Sequence, residues 1–432
     1  MQITIEKLVY GGDGLARLAA DEHGRGKAVF APFVLEGEII EASLVEEKRG
    51  FARAQAGTIL RPSPQRVEPQ CPYFRRCGGC HYQHASYDHQ VEIKASILKE
   101  NLRRLAKVEL ETELIVHPSP PWHYRNRARL KVQSVPEFAL GYHRFNSHEL
   151  LPVEQCPISS PLINRAISRL WAVGRAGSVP AEISEIEFFA DADDTNLLVE
   201  CYCALGTSVE LAQESAEQLK LALPETLGVA MFPALRPGAT QTESKPLALA
   251  GAGELTYGTQ SASYRVSAGA FFQVNRHLTD ELIKLVTEGR SGGMALDLYA
   301  GVGLFSTVVA RSFAQVIAVE ASPTSFADLK YNSPRNVKAV RATTEEFLRK
   351  EAGRWKPDLV VVDPPRAGLG ESVVSGLAAL SAPRMVYVSC DPATLARDLK
   401  SLLSSGYRVE QAHLVDLFPQ TYHLESVFCL VR

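Results

Sequence analysis

The chain has 432 residues, a formal net charge of −3, 46% apolar and 22% charged residues. These ordinary globular values exclude a disordered or fibrous chain and leave enough length for about three domains. No apolar run is long enough to span a bilayer, and the start MQITIEKLVYGG lacks the basic-then-apolar design of a signal peptide. A cytoplasmic protein with no membrane partner is therefore expected. The near-neutral balance argues against non-specific polyanion binding over the whole surface, and no DNA partner is expected, although a local basic face remains open.

Residues 1–60 read as all-β. ITIEKLVY alternates, GGDG makes a turn, and KAVFAPFVL, EGEIIEASLVEE and ARAQAGTIL follow as strand-like runs. Short alternating strands with Gly turns predict a small closed barrel of the oligonucleotide-binding kind, or a small β-domain with no nucleic-acid role. RPSPQRVEPQ, residues 61–70, holds three prolines and reads as a linker. Residues 87–107 carry Val91, Ile97, Leu98, Leu102 and Leu105 at helical spacing. Their other face bears Lys94, Lys99, Arg103, Arg104 and Lys107, as on a solvated amphipathic helix.

WHYRNRARLKVQ and FALGYHRFNSHELLPV read as strands of a hairpin-rich sheet. Arg125, Arg127, Arg129 and Lys131 alternate and so share one strand face, with Trp122 and Tyr124 beside them. Basic residues beside aromatics suit single-stranded RNA; a solvated basic edge is the alternative. Residues 161–260 give alternating β and α signals, and PALRPGATQTESKPLALAGAG reads as a polar loop.

From about residue 290 short apolar strands alternate with helices: MALDLYAG, FSTVVARSF, AQVIAVEAS, PTSFADLKYNSPRN, DLVVVDPPR and MVYVSCDP. This alternation predicts a doubly wound, mostly parallel sheet, whose ligands bind beyond the carboxyl ends of its strands. Asp297-Leu-Tyr-Ala-Gly301-Val-Gly303 ends one strand with glycines that let a backbone approach a ligand. Glu320 ends the next, where an acid suits the hydroxyls of an adenosine ribose. Together they point to S-adenosylmethionine. Asp363-Pro-Pro-Arg366 and Val388-Ser-Cys390-Asp-Pro bring an acid and a thiol to the same rim, and QTYHLES adds His423 and Glu425 before the last strand. A thiol with a nearby carboxylate at a cofactor site points to covalent catalysis with a separate base.

There are eight cysteines. Structural disulfides are not expected in such a compartment, and Cys71, Cys77 and Cys80 cluster in a way that looks more like metal ligation than packing. Cys201 and Cys429 lie in apolar runs and read as core residues.

Together the chain resembles the bacterial RNA uracil-5-methyltransferases, most closely the subgroup with an N-terminal TRAM domain and an iron–sulfur cluster that modifies 23S ribosomal RNA. The residues that carry the resemblance are Cys71-x5-Cys77-x2-Cys80 with Cys156, SAGAFFQVN, DLYAGVG, DPPRAGL, SCDPATLARDL and QTYHLES. It implies a multidomain α/β chain. Residues 1–60 would form an OB-like TRAM barrel that binds RNA, and residues 61–260 a central α+β domain with the iron–sulfur site. Residues 261–432 would form a Rossmann-like S-adenosylmethionine-dependent methyltransferase sheet, with a helix near 87–117 packed on it.

The resemblance implies Cys71, Cys77, Cys80 and Cys156 as ligands of a 4Fe-4S cluster; four thiolates also suit zinc, and spacing does not separate the two. It implies Gln273, Tyr299, Leu304, Glu320, Thr343 and Asp363 around the cofactor, and Phe271 beside the reacting base. Leu304 and Thr343 depart from the family pattern, as does Ala300, which replaces a common cysteine. Cys390 would be the nucleophile toward carbon 6 of uracil, Glu425 the base for the carbon 5 proton, and Asp363 would orient the base or the thiol. The implied partner is RNA, 23S rRNA first, and the implied state a monomer. The same chemistry on a tRNA uridine, a cytosine-directed methylase and a non-catalytic RNA-binding or assembly factor are the competing readings.

Overall fold

The computed structural model describes residues 1–18, 26–234 and 245–432. The chain first forms β1 (Gln2–Thr4), β2 (Lys7–Leu8), β3 (Asp13–Arg17), β4 (Ala28–Pro32), β5 (Ile39–Glu47) and β6 (Phe51–Arg61). These pair in the order β1-β5-β6-β4-β3-β2. β1 and β2 sit at opposite ends of that order but are consecutive in the chain. The connecting residues bridge the ends: Ile5 N–H donates to Glu38 and Glu6 N–H to Leu15. The sheet thus closes on a core of Ile3, Ile5, Val29, Val34 and Ile40. A closed sheet leaves no free edge.

Residues 61–70 differ from the expected linker, because they are tied to the barrel. The Arg66 guanidinium pairs at 2.6 Å with the fully buried Glu38 carboxylate, which also accepts the N–H groups of Leu35 and Ser63. A buried carboxylate needs such partners.

α1 (Tyr87–Asn101) and β7 (Leu114–His117) belong to the C-terminal sheet: β7 adds in parallel to β22 (Arg408–Val415). Two residues depart from the expected faces of this helix: Lys94 of the basic face is buried, and Leu105 of the apolar face is 46% exposed. A π-helical turn over Leu102–Ala106 accounts for the second departure, because its wider turn shifts the helical phase and Ala106 is buried in its place.

The central sheet runs β10-β9-β8-β11-β12-β13-β14. Its strands are β8 (Arg127–Gln133), β9 (Ala139–His143), β10 (Leu150–Pro152), β11 (Ile183–Ala190), β12 (Leu197–Cys203), β13 (Thr226–Pro233) and β14 (Ala248–Gly251). α2 (Pro161–Arg175) and α3 (Val209–Ala222) pack against it over a core that includes Cys201. Of the loop expected over 233–253, residues 235–244 lie outside the described residues, and its end is β14. A hairpin of β15 (Glu254–Gly258) and β16 (Ser263–Ser267) leads into the C-terminal region.

There the elements are α4 (Thr279–Thr287), β17 (Gly292–Leu298), α5 (Ser306–Val309), β18 (Phe313–Glu320), α6 (Pro323–Asn332) and β19 (Val337–Arg341). α7 (Thr344–Glu351), β20 (Leu359–Val362), α8 (Gly370–Leu380), β21 (Arg384–Ser389), α9 (Pro392–Ser404), β22 and β23 (Glu425–Val431) complete it. The strand order is β19-β18-β17-β20-β21-β23-β22-β7, and β23 alone runs antiparallel to its neighbours β21 and β22. Leu359 to Val362 are completely buried because apolar clusters cover both faces. That is why this strand is apolar throughout rather than alternating. Among the described residues no helix is long and apolar enough to cross a membrane.

Candidate active site

The strand ends predicted to carry chemistry meet at one rim. β17 and β20 pair in parallel through Leu298 and Val362, so Tyr299 and Asp363 leave the sheet side by side. β21 and β23 pair antiparallel through Ser389 and Ser426, and the next residue outward on each strand is Cys390 or Glu425. The register of two neighbouring strands therefore brings a thiol and a carboxyl together from 35 residues apart in sequence. Burial pushes the Cys390 thiol up to about 12, aided by the charges of Glu425 and Asp363 and opposed by Arg366. Glu425 is buried, and both burial and Asp363 push its carboxyl well above the ordinary range. Asp363 opens partly to the cleft, yet the protein around it, with Asp297 behind, raises its carboxyl to about 7. Asp297 is likewise raised to about 7 by burial; one oxygen accepts Ser306 N–H at 2.9 Å and the other has no partner. The resting site is thus a row of carboxyls that favour their protons.

The cofactor side is shaped by backbone. Tyr299 has φ +64°, strained for a residue with a β-carbon, and opens the DLYAGVG turn. At Gly303, φ +94°, a β-carbon would press on the Leu329 side chain at 3.0 Å. Glu320 accepts Gly301 N–H at 2.8 Å and Ser322 N–H at 2.6 Å, which fixes both its carboxylate and the turn. Thr343 Oγ1 accepts Glu346 N–H at 3.2 Å and caps α7. The Leu304 side chain is packed in the apolar cluster under the hairpin, and its carbonyl accepts the Tyr264 hydroxyl. That side chain is committed to packing.

The SAGAFFQVN segment is pinned by the central sheet. Asn126 donates to the Gln273 carbonyl at 3.1 Å, Arg127 to the Ala270 carbonyl at 2.7 Å, and Glu200 accepts Gly269 N–H at 2.9 Å. Gln273 is thereby held inside while Phe271 stands 63% exposed.

The basic stripe is a correction. Arg127, Arg129 and Lys131 do share one face of β8, but that face meets acids on β11 and β12. Arg127 pairs with Glu187 at 2.6 Å and with Glu200 at 2.9 Å, while Arg129 and Lys131 both reach Glu185. Arg125 precedes the strand and makes isolated bridges with Ser159 and Asn275. These groups fasten the sheet rather than offer a free phosphate-binding face, and Tyr124 is fully buried.

Several contributors were not visible in sequence. Tyr10, from the barrel, donates its hydroxyl to the Cys390 carbonyl at 3.3 Å and stands edge-on to Tyr422 at 5.4 Å. Asp398 accepts Leu369 N–H and the Tyr387 hydroxyl, locking α9 to the DPPRAGL loop. It lay inside the SCDPATLARDL run, where its burial was the signal missed. Lys94 and Asp416 form a fully buried pair at 2.5 Å under the segment leading to Glu425. His423 contacts Arg366 at 3.3 Å, and burial pushes its ring down to about 3, so it is neutral.

Cys71, Cys77, Cys80 and Cys156 line one cavity of about 260 Å³. Among the described residues no group of three or more His, Cys, Asp or Glu is arranged to hold a metal ion. Cys429 lies in the core, as does Cys201.

Residues 86–432 match the family model described as tRNA (Uracil-5-)-methyltransferase. An uncharacterized RNA methyltransferase of Aquifex aeolicus is 33% identical over all of this chain and 98% of that protein. The 23S rRNA (uracil(1939)-C(5))-methyltransferase of Erwinia tasmaniensis is 33% identical over 95% of this chain and 92% of that protein. Among solved structures, the tRNA (uracil-54, C5)-methyltransferase of Pyrococcus abyssi, in complex with S-adenosyl-L-homocysteine, shares the fold with a TM-score of 0.77. It covers the whole of both chains at 24% identity. A rim that joins a thiol, carboxyls and a glycine turn, on a chain matched from end to end by such relatives, leads to one conclusion: the chain belongs to the tRNA (uracil-5-)-methyltransferase family and is an RNA methyltransferase.

Proposed function

We propose that the chain methylates carbon 5 of a uridine in 23S ribosomal RNA, with S-adenosylmethionine as donor, Cys390 as nucleophile and Glu425 as base. The observation that carries this reading is the register that sets Cys390 against Glu425 at the carboxyl rim, with Asp363 beside them. The full-length 23S-directed relatives support the choice of RNA.

Carbon 5 of uracil is a poor nucleophile until a thiolate adds to carbon 6 and makes an enolate. Bound S-adenosylmethionine supplies the electrophilic methyl group that carbon 5 then takes. The Cys390 thiol, raised by burial, gives its proton to the Asp363 carboxylate as the base arrives; Arg366 favours the resulting thiolate, while the Asp391 carboxylate that caps α9 opposes it. Glu425 takes the carbon 5 proton and Cys390 departs. Glu425 must release its resting proton to solvent before that step; the burial that raises its pKa then makes its carboxylate the stronger base. The target must first be flipped from its RNA, at a cost of a few kcal/mol. Phe271, which stands exposed, would supply an aromatic face for it.

Glu320 would take the ribose hydroxyls with the acceptor capacity its two backbone bonds leave. Tyr299, Gln273, Thr343 and Asp363 would line the rest of the cofactor site, where the position of Leu304 would act through backbone. The closed N-terminal barrel would be the RNA-binding TRAM module, and the chain would work as a cytoplasmic monomer. Cys71, Cys77, Cys80 and Cys156 would hold a 4Fe-4S cluster, since four thiols around one cavity suit a cage of several atoms; four thiolates suit zinc as well. The cluster would tie the barrel's exit segment to the central sheet.

Wild type and Cys390→Ala are incubated with labelled S-adenosylmethionine and unmodified ribosomal and transfer RNA, and the labelled nucleoside is identified. The reading predicts 5-methyluridine in 23S RNA that vanishes with the variant. Label only in transfer RNA moves the substrate, and label that survives Cys390→Ala overturns the mechanism.

A further inference from the structure

We propose that Arg125 is the charge-compensating residue of the four-cysteine cavity, a cation placed there for an anionic, cysteine-ligated group. This rests on the reading of Cys71, Cys77, Cys80 and Cys156 as ligands of an iron–sulfur cluster.

The Arg125 side chain lines the same cavity as the four cysteines. Its backbone is clamped to the loop that carries Cys156: Arg125 N–H donates to Ile158 at 2.9 Å, and its carbonyl accepts Ser160 N–H at 2.8 Å. Arg125 therefore lines the cavity from a backbone held on both sides. Other sequestered arginines in the chain face carboxylates: Arg127 meets Glu187 and Glu200, Arg66 meets Glu38, Arg265 meets Asp328 and Arg276 meets Asp194. Among the described residues Arg125 has no carboxylate within ion-pair reach, and its Nε is buried without a hydrogen bond. Its neutral partner is Tyr124, whose hydroxyl shares a hydrogen bond with the guanidinium and whose ring lies 6.0 Å from it; Tyr142 lines the same cavity.

A cation sequestered from water needs an anion or a set of acceptors. Four neutral thiols do not supply one. Ligation does, because the thiols lose their protons and the cluster with its thiolates carries net negative charge. Arg125 also links the cavity to the catalytic half, because its other edge bridges Asn275 in the SAGAFFQVN segment. A zinc ion held by four thiolates is anionic too, so metal analysis decides which group the cation serves.

The full chain, Arg125→Gln and Arg125→Lys are reconstituted anaerobically with iron and sulfide. Iron and sulfide content is measured, and then the loss of the visible cluster absorbance in excess chelator. Removing a charge-assisted partner is expected to speed that loss about tenfold in Arg125→Gln, with Arg125→Lys within about twofold of wild type. Equal rates in Gln variant and wild type overturn the proposal, as does loss of folding in both variants by circular dichroism, which would mark a structural role. Arg125→Gln that folds but holds less than half the iron of Arg125→Lys supports it. Wild type that takes up no iron overturns the cluster reading itself, a result read before any variant is compared.

Discussion

In the proposed mechanism Cys390 and Glu425 have opposed needs: the thiol would ionise to attack and the carboxyl would ionise to accept a proton, yet each disfavours the other's charge. Glu425→Gln removes the proposed base but leaves the thiol. Turnover is expected to fall by about 10²–10⁴-fold, while a denaturant-resistant protein–RNA adduct accumulates on gels. An adduct no more abundant than in wild type would show that another group takes the carbon 5 proton. Asp363 gives a pH signature. Its carboxyl rises from 3.8 to about 7 on folding, so the folded chain binds more protons and stability falls as pH climbs between those values. In Asp363→Asn the melting temperature relative to wild type is expected to rise progressively from about pH 4 to about pH 7 and to level off above. A difference that stays flat over that range contradicts the assignment. The residue types of this site were legible because thiol, acids and glycines sit at strand ends in short runs. Their ionisation was not, because it depends on neighbours brought in by other strands.

At the scale of elements, the segment between β22 and β23 is held from below by α1. Lys94 pairs with Asp416 and donates to the Phe418 carbonyl at 2.9 Å, Gln90 exchanges hydrogen bonds with Gln420, and Tyr87 donates to Asp416. Lys94→Met leaves a buried carboxylate without its cation, and unfolding is expected to cost about 3–5 kcal/mol less than in wild type. Adding Asp416→Leu should recover a large part of that loss in the same denaturant titration; additive losses would mean the pair is not coupled. Periodicity assigned Lys94 to a solvated face, because a charged residue at such a spacing nearly always is solvated. What overrides the rule is a carboxylate 322 positions away. The same logic applies to β8, where Arg127, Arg129 and Lys131 share one face but Arg125 precedes the strand, and the acids opposite belong to strands that pair only in the folded sheet.

Across the whole molecule, the N-terminal barrel reaches the reactive rim. The Tyr10 hydroxyl bonds to the carbonyl of Cys390, its ring meets Tyr422, and Lys7 forms an ion pair with Glu100 on α1. Tyr10→Phe deletes one hydrogen bond and keeps the ring, so the docked barrel is expected to lose about 0.5–1.5 kcal/mol. Hydrogen exchange should then quicken at residues 1–18 and at 388–392 together. Faster exchange in the barrel alone would show that Tyr10 does not couple it to the loop that carries Cys390.

Local order in the sequence determined much of this protein. Alternation predicted the N-terminal strands, the alternation of strands and helices predicted the C-terminal sheet, and the runs DLYAGVG, DPPRAGL and SCDPATLARDL marked its active rim. These are short-range patterns, and the backbone answers them over a few residues. Tertiary structure alone decided which side chains meet: Tyr10 with Cys390, Lys94 with Asp416, the basic stripe with Glu185, Glu187 and Glu200, and Arg125 with the four cysteines. Each of those contacts joins residues far apart in the chain, where strand register and burial, not spacing, set the distance and the charge.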